Sequence, residues 1–159
     1  MAVPVWNDPL MVVVPARHTL LSHKRIALDE VLRYPLVLGD PQLCEGFVRQ
    51  VDRILRQADR EPLVAERVTS SELMLTLVSA GLALGLAGAS QIAACPASSV
   101  VARPLACRSP MLTTYMLHLG GHLSETMSRF IDRVRSIEAS DGRAPTFSAL
   151  TGTAEEIEP

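Results

Sequence analysis

Residues 64–90 read Val64-Ala-Glu-Arg-Val-Thr-Ser-Ser-Glu-Leu-Met-Leu-Thr-Leu-Val-Ser-Ala-Gly-Leu-Ala-Leu-Gly-Leu-Ala-Gly-Ala-Ser90, and this stretch decides the fold. Val64–Val68 is short and β-branched at both ends, the composition of a strand. Thr69 stands three residues before Glu72, which predicts a capping box at a helix start. Leu73, Leu77, Ala80 and Leu84 recur at helical intervals, and Met74 and Val78 widen the apolar stripe. Gly81 and Gly85 bracket the predicted helix end, and residues 84–87 form a small apolar run suited to a buried strand. The whole is a βαβ unit whose helix N-terminus offers unpaired amides to an anion. It predicts a small-molecule site. The same residues admit a rival reading, because residues 73–102 contain no charge and are long enough to span a membrane. Gly81, Gly85, Gly88, Ser79, Ser90, Gln91 and Pro96 punctuate that run, and its flanks lack a basic cluster and an aromatic belt. The buried βαβ unit is the preferred reading.

The bounds from composition agree with an ordinary globular domain. The chain has 159 residues, 48% of them apolar and 20% charged, enough to bury a core. A formal net charge of −2 leaves no electrostatic footprint for nucleic acid. Cys44, Cys95 and Cys107 are odd in number and lack C-x-x-C spacing, so buried thiols in a reducing compartment are expected. No secretory pattern stands at the N-terminus, and a cytoplasmic protein is expected.

Outward from the central stretch, residues 10–14 (Leu-Met-Val-Val-Val) read as a buried strand ended by Pro15, with no earlier element to pair with. Residues 27–32 form a short helix stopped before Pro35. Leu36–Gly39 is a second buried strand. Asp40-Pro41 then reads as the N-cap and first position of a helix. Its stripe is Leu43, Phe47, Val51, Ile54, Leu55 and Ala58, and Arg49, Asp52, Arg53 and Arg56 take the opposite face. Strand, helix, strand, helix, strand predicts a parallel sheet. Downstream come a short helix at 91–94 and a strand at 100–105 that Pro104 places at an edge or at an exit. A strand at 112–119 and a helix at 123–137 with Phe130, Ile131 and Val134 apolar follow. From Ser140 onward there is no periodicity, and a mobile tail is expected.

The ordered set Val-Val-Val-Pro-Ala-Arg-His-Thr-Leu (12–20), Tyr-Pro-Leu-Val-Leu-Gly-Asp (34–40), Glu-Arg-Val-Thr-Ser-Ser (66–71), Leu-Val-Ser-Ala-Gly-Leu-Ala-Leu-Gly-Leu (77–86) and Val-Val-Ala-Arg-Pro-Leu (100–105) resembles the LysR-type transcriptional regulators. With Ser-Arg-Phe-Ile-Asp-Arg-Val (128–134), the resemblance covers roughly residues 6 to 137. It matches the second half of their effector-binding region and implies a periplasmic-binding-protein-like (type II) α/β fold. One Rossmann-like subdomain is complete and a second is incomplete. The resemblance assigns residues 1–20 to a partial first regulatory subdomain and hinge, and 21–105 to the complete second subdomain. Residues 106–137 become the return strand and helix of the first, and 138–159 a disordered tail. The chain departs from the family at His18-Thr19-Leu20-Leu21, where many members have His-Pro-Leu-Ala. It departs again at Leu86-Ala87-Gly88, where many close with Val-Pro. The helix-turn-helix that docks these regulators on DNA has no counterpart, and the resemblance implies a fragment.

What the resemblance implies about function is effector sensing. A small molecule, an anion among the candidates, would meet Gly39, Asp40, Pro41, Gln42, Thr69, Ser70 and Ser71 in a cleft between subdomains. Ligands of open α/β sheets do sit beyond the carboxyl ends of strands. Asp40 and Thr69 are also expected to cap their helices, which leaves the Ser70 and Ser71 hydroxyls for the ligand. A homodimer is implied, with DNA reached only through the absent helix-turn-helix. His18, beside the presumed hinge, reads as a surface histidine. His118 and His122 are too isolated for a metal site, and no metal or cofactor is expected. Cys44, on a helix's first turn, reads as structural, with redox sensing the alternative. No G-x-S-x-G, H-E-x-x-H or P-loop is present, so no enzyme is expected. Competing readings are a solute-binding protein of the transport class and a small membrane-anchored protein.

Overall fold

Leu36–Gly39 and Leu84–Gly88 are buried at every position, and the sheet is built around them. The computed structural model describes residues 2–95, 97–106, 110–119, 121 and 124–141. Its elements are β1 (Ala2–Pro15), a 3-10 turn (Thr19–Ser22), α1 (Leu28–Val31), β2 (Leu36–Gly39) and α2 (Glu45–Leu55). There follow β3 (Val64–Val68), α3 (Ser71–Ser79), β4 (Leu84–Gly88), α4 (Ala89–Ala94), β5 (Val100–Pro104), β6 (Met111–Leu117) and α5 (Glu125–Asp141). The described residues divide into two compact units, one drawn from Met1–Asp8 and Thr113–Pro159, the other Pro9–Leu112.

In the Pro9–Leu112 unit the strand order is β3-β2-β4-β1-β5. β2 pairs in parallel with both β3 and β4, the arrangement that two successive βαβ units produce. β1 lies antiparallel to β4 and to β5, so the sheet is mixed. β5 forms an edge, where Pro104 costs no ladder bond. The strand alternation sorts the core into two layers. Leu36, Leu38, Val12, Val14, Leu84 and Leu86 face one side, where α1 and α2 supply Val31, Val51, Ile54 and Leu55. Val37, Val13 and Ala87 face the other, under Met74, Leu75 and Val78 of α3.

Helix α3 ends as the glycine predicted. Gly81 has φ +76°, its amide bonds the Val78 carbonyl at 2.9 Å, and the Leu82 amide bonds the Leu77 carbonyl at 3.2 Å. This pair of bonds is a Schellman closure, which turns the chain directly into β4. The uncharged run 73–102 is thereby divided among α3, β4, α4 and β5, and among the described residues no helix is long and apolar enough to cross a membrane.

Expectations for β1, α2 and α3 need correction. β1 starts at Ala2 rather than Leu10, because β6 pairs with it. Helix α2 starts at Glu45, four residues later than the Asp40-Pro41 signal. Asp40 Oδ1 accepts from the amides of Gln42 (2.8 Å) and Leu43 (3.3 Å), closing a turn that does not propagate. Its stripe is consequently Val48, Val51, Ile54 and Leu55, with Leu43 71% exposed. Helix α3 is capped by Ser70, whose Oγ accepts from the Leu73 amide at 3.2 Å, and Thr69 makes no cap. The stripe of α3 shifts with it: Met74, Leu75 and Val78 are buried, while Leu73 is exposed.

In the other unit, β6 runs Met111–Leu117 beside β1, and the Thr113 hydroxyl donates to Asn7 Oδ1 at 2.8 Å. Helix α5 buries Ile131 and Val134 but leaves Phe130 exposed, against expectation. It runs to Asp141; residues 142–159, where most of the expected tail falls, lie outside the described residues, as do Cys107 and His122.

Candidate functional site

The parallel strands β2 and β3 deliver their carboxyl ends side by side. The Asp40 amide bonds the Val68 carbonyl at 2.8 Å, and Arg67 Nη1 donates to the Gly39 carbonyl at 3.0 Å. Helices α2 and α3 start just beyond these ends. Gly39 lies close against the start of α2: an added Cβ would stand 3.3 Å from Val48 Cγ2, 3.5 Å from Phe47 Cδ1 and 3.6 Å from Cys44 Cβ. A side chain there would fill the gap between strand end and helix.

The gap is a recess of 190 Å³. Phe47, Val68 and Met74 give it apolar walls, and Gly39 and Cys44 complete that side. Thr69, Ser70, Ser71 and Gln91 supply its polar atoms. Each has a local cause. Thr69 and the extended N-cap Ser70 link β3 to α3, and Ser71 is the first residue of that helix, so their side chains fall beside the helix start. Gln91 is in the first turn of α4, where its Oε1 accepts from the Gly88 amide at 2.9 Å and fixes the side chain. The Ser70 hydroxyl is committed to its cap. Among the described residues no hydrogen bond engages the hydroxyls of Thr69 and Ser71.

Of the seven residues the sequence put forward, Gly39, Thr69, Ser70 and Ser71 line this recess together. Asp40, Pro41 and Gln42 occupy the exposed turn beside it and are absent from its lining. The expected roles of Thr69 and Ser70 are exchanged: Ser70 caps, and the Thr69 hydroxyl is left unengaged. Sequence reading missed Cys44, Phe47, Val68, Met74 and Gln91. Phe47 and Met74 were legible only as parts of a core stripe. Gln91 carried a signal, being the polar residue that breaks an otherwise apolar run.

The lining contains no charged side chain, so the site offers shape, dispersion and neutral hydrogen bonds. Glu72, on the first turn of α3, lines a separate groove with Leu75, Thr76 and Ser79. Cys44 is the N-cap of α2 and half-buried. His18 is half-buried rather than on the surface as expected. Its Nδ1 accepts from the Leu20 amide at 3.2 Å, and its ring meets Tyr34 edge to face at 4.7 Å. Desolvation lowers its pKa below the ordinary histidine value. His118 Nδ1 lies 2.8 Å from the Leu119 carbonyl, and among the described residues no group of three or more candidate metal ligands assembles.

The fold is similar to that of several solved structures. The BenM effector binding domain solved with its effector benzoate superposes with a TM-score of 0.79 at 23% identity, over 91% of this chain and 66% of that one. The effector binding domain of QuiR in complex with shikimate gives 0.69 at 18% identity, over 85% and 63%. A probable LysR family regulator domain from Rhodococcus sp. RHA1 gives 0.65 at 24%, over 84% and 66%. In sequence, the HTH-type transcriptional regulator YnfL of Escherichia coli (strain K12) is 29% identical over 86 residues. That match takes 54% of this chain but only 29% of the relative, so the chain spans a fraction of such a regulator. The fold is therefore the periplasmic-binding-protein-like α/β fold of LysR effector domains. The LysR substrate binding domain pattern matches residues 2–138, nearly the whole described chain, and the protein belongs to that family.

Proposed function

We propose that this chain is the effector-sensing part of a LysR-type transcriptional regulator, and that the 190 Å³ recess is where the Pro9–Leu112 unit meets a small-molecule effector. The observation that carries the reading is convergence. Two strand ends, two helix starts and two unengaged hydroxyls meet at one opening in a chain of this family. Thr69 and Ser71 orient the ligand by hydrogen bonds, Gly39 gives it room, and Phe47, Val68 and Met74 bury its apolar surface. An anionic group on the effector sits at the rim, toward the α3 N-terminus. Asp40, Pro41 and Gln42 form the flanking turn. The subdomain expected over residues 21–105 falls inside the Pro9–Leu112 unit, which supports treating it as the ligand-holding half. Residues 1–20 and 106–137 belong, on the same reading, to the other regulatory subdomain.

Binding works as a switch only where the ligand favours one of two conformations over the other. We place that switch in a homodimer acting in the cytoplasm, with DNA contacted by a helix-turn-helix outside these residues. The test is a thermal-shift screen of a metabolite panel followed by titration of each hit. Thr69→Ala/Ser71→Ala should weaken a true effector roughly tenfold or more, as two hydrogen bonds of about 1 kcal/mol require. A hit indifferent to that pair overturns the site. Sequence-specific operator binding by these 159 residues alone overturns the placement of the DNA contact.

A further inference from the structure

We propose that the end of the Pro9–Leu112 unit opposite the recess is a self-complementary surface, through which two copies of this chain pair about a twofold axis. The contact is independent of the effector-site reading. The recess stands at the carboxyl ends of β2 and β3, and this surface lies at their amino ends.

Its centre is a groove of 520 Å³ between the end of α2 and the turn that enters β3. Leu55, Ala58 and Pro62 line it with apolar surface, and Asp52, Arg56, Asp59, Arg60 and Glu61 bring charges of both signs. Elsewhere such neighbours pair: Glu45 with Arg49 and Glu125 with Arg129 at a spacing of four, and Glu30 with Arg33 at a spacing of three. Asp52 and Arg56 have the spacing of four on the same helix as Glu45 and Arg49, yet they do not pair. Among the described residues, none of the five charged groups in the groove takes part in an ion pair.

Beside the groove stands a knob. Leu63, next in the chain after Pro62, is 64% exposed, and Leu82 at the same end of the sheet is 62% exposed. The sheet holds both in place. The Leu36 amide bonds the Leu63 carbonyl at 2.8 Å, and the Leu84 amide bonds the Pro35 carbonyl at 2.9 Å. A twofold contact needs knob and groove on one patch, and here they are adjacent. In the pair, Leu63 of each copy enters the apolar lining of the other groove, and Arg56 and Arg60 meet Asp59 and Glu61 across the axis.

The charge pattern selects this occupant. Two arginines among three carboxylates match neither a uniformly basic nor a uniformly acidic partner, whereas an inverted copy of the same surface supplies each sign opposite the other. Strand addition is not the mode. β3 is at the edge of the sheet, but its Arg67 amide is taken by Glu66 Oε1 at 3.0 Å, and its register slips between Leu36 and Val37. Charge and irregularity of that kind blunt an edge, so side chains carry the contact.

Sedimentation equilibrium of the 159-residue chain at low salt is the test. Wild type is expected at twice the mass of Arg56→Glu/Arg60→Glu and of Asp59→Arg/Glu61→Arg, whether the lighter species is a monomer or the homodimer of the functional reading. An equimolar mixture of the two variants is expected to regain the wild-type mass, since each reversed sign then faces its opposite. Leu63→Ser leaves every charge in place and should weaken association roughly tenfold or more. Salt at about 1 M, where screening acts within about 3 Å, should weaken wild type and mixture alike. Circular dichroism checks that the variants keep the native fold, and Arg60→Glu and Glu61→Arg repeat the comparison with one change each. A wild type as light as both variants, or a mixture as light as its components, overturns the inference.

Discussion

Gly85 and Met74 occupy one volume: a Cβ on Gly85 would lie 3.0 Å from the Met74 sulfur and 3.1 Å from its Cγ. Val78 Cγ2 closes the same space at 3.2 Å. Gly85 is in the middle of the sheet, paired with Val13 and Val37, so the strand has no room to retreat. Gly85→Ala therefore pushes Met74 toward the recess. It should cost about 1–3 kcal/mol, the usual penalty for overpacking, read as a lower urea midpoint at unchanged slope. In a double-mutant cycle, Met74→Ala should recover part of that loss.

The cap of α3 distinguishes two adjacent hydroxyls. Ser70→Ala removes the acceptor of the Leu73 amide and should destabilise by about 1 kcal/mol. Thr69→Ala should stay within ~0.5 kcal/mol of wild type, because Thr69 is exposed and caps nothing. Equilibrium urea denaturation of the two variants checks the contrast, and Ser70→Asp should restore the native midpoint.

Gly81 tests conformation without packing. Nothing lies within 4 Å of an added Cβ, yet φ is +76°. Gly81→Ala should cost about 1–2 kcal/mol from the left-handed backbone alone. Gly81→Asn should cost less, since asparagine tolerates that region. Thermal denaturation ranks the three.

His18 predicts a pH dependence with a definite sign. Its folded pKa lies below the ordinary 6.5 because burial disfavours the charged ring, and its Nδ1 must stay unprotonated to accept from the Leu20 amide. The unfolded chain then binds more protons than the folded one in the window below 6.5. The His18 contribution is complete above that value and is lost as pH falls through the folded pKa. His18→Asn, which can still cap the turn, should flatten this part of the stability profile measured between pH 7.5 and pH 5 (about the histidine range).

Strands β2 and β3 were legible because their signal is local. Leu36–Gly39 and Val64–Val68 begin and end where composition put them, and Gly81 closes its helix as read. Helix starts were not. Asp40 and Thr69 carry the chemistry of caps, but the same side chains close Asx turns or stand free, and the choice depends on how helix meets sheet. The phase error in α3 has that origin: moving the cap from Thr69 to Ser70 accompanies the burial of Leu75 in place of Leu73. The first eight residues of β1 were invisible because their partner, β6, is about a hundred positions away. Half the site was read from loop logic. Phe47 and Met74 were hidden because a pocket wall and a core stripe have one sequence signature.

The division of the chain also orders its birth on the ribosome. The unit Pro9–Leu112 is one continuous stretch, so every residue it needs has emerged before α5 is made. The other unit joins residues from both ends of the chain, as the Asn7–Thr113 bond across 106 positions shows. Vectorial synthesis thus completes the Pro9–Leu112 unit before the other, while the leading segment of β1 waits for β6 to arrive. A nascent chain stalled with residue 112 clear of the exit tunnel should already protect β2 and β4 from proteolysis.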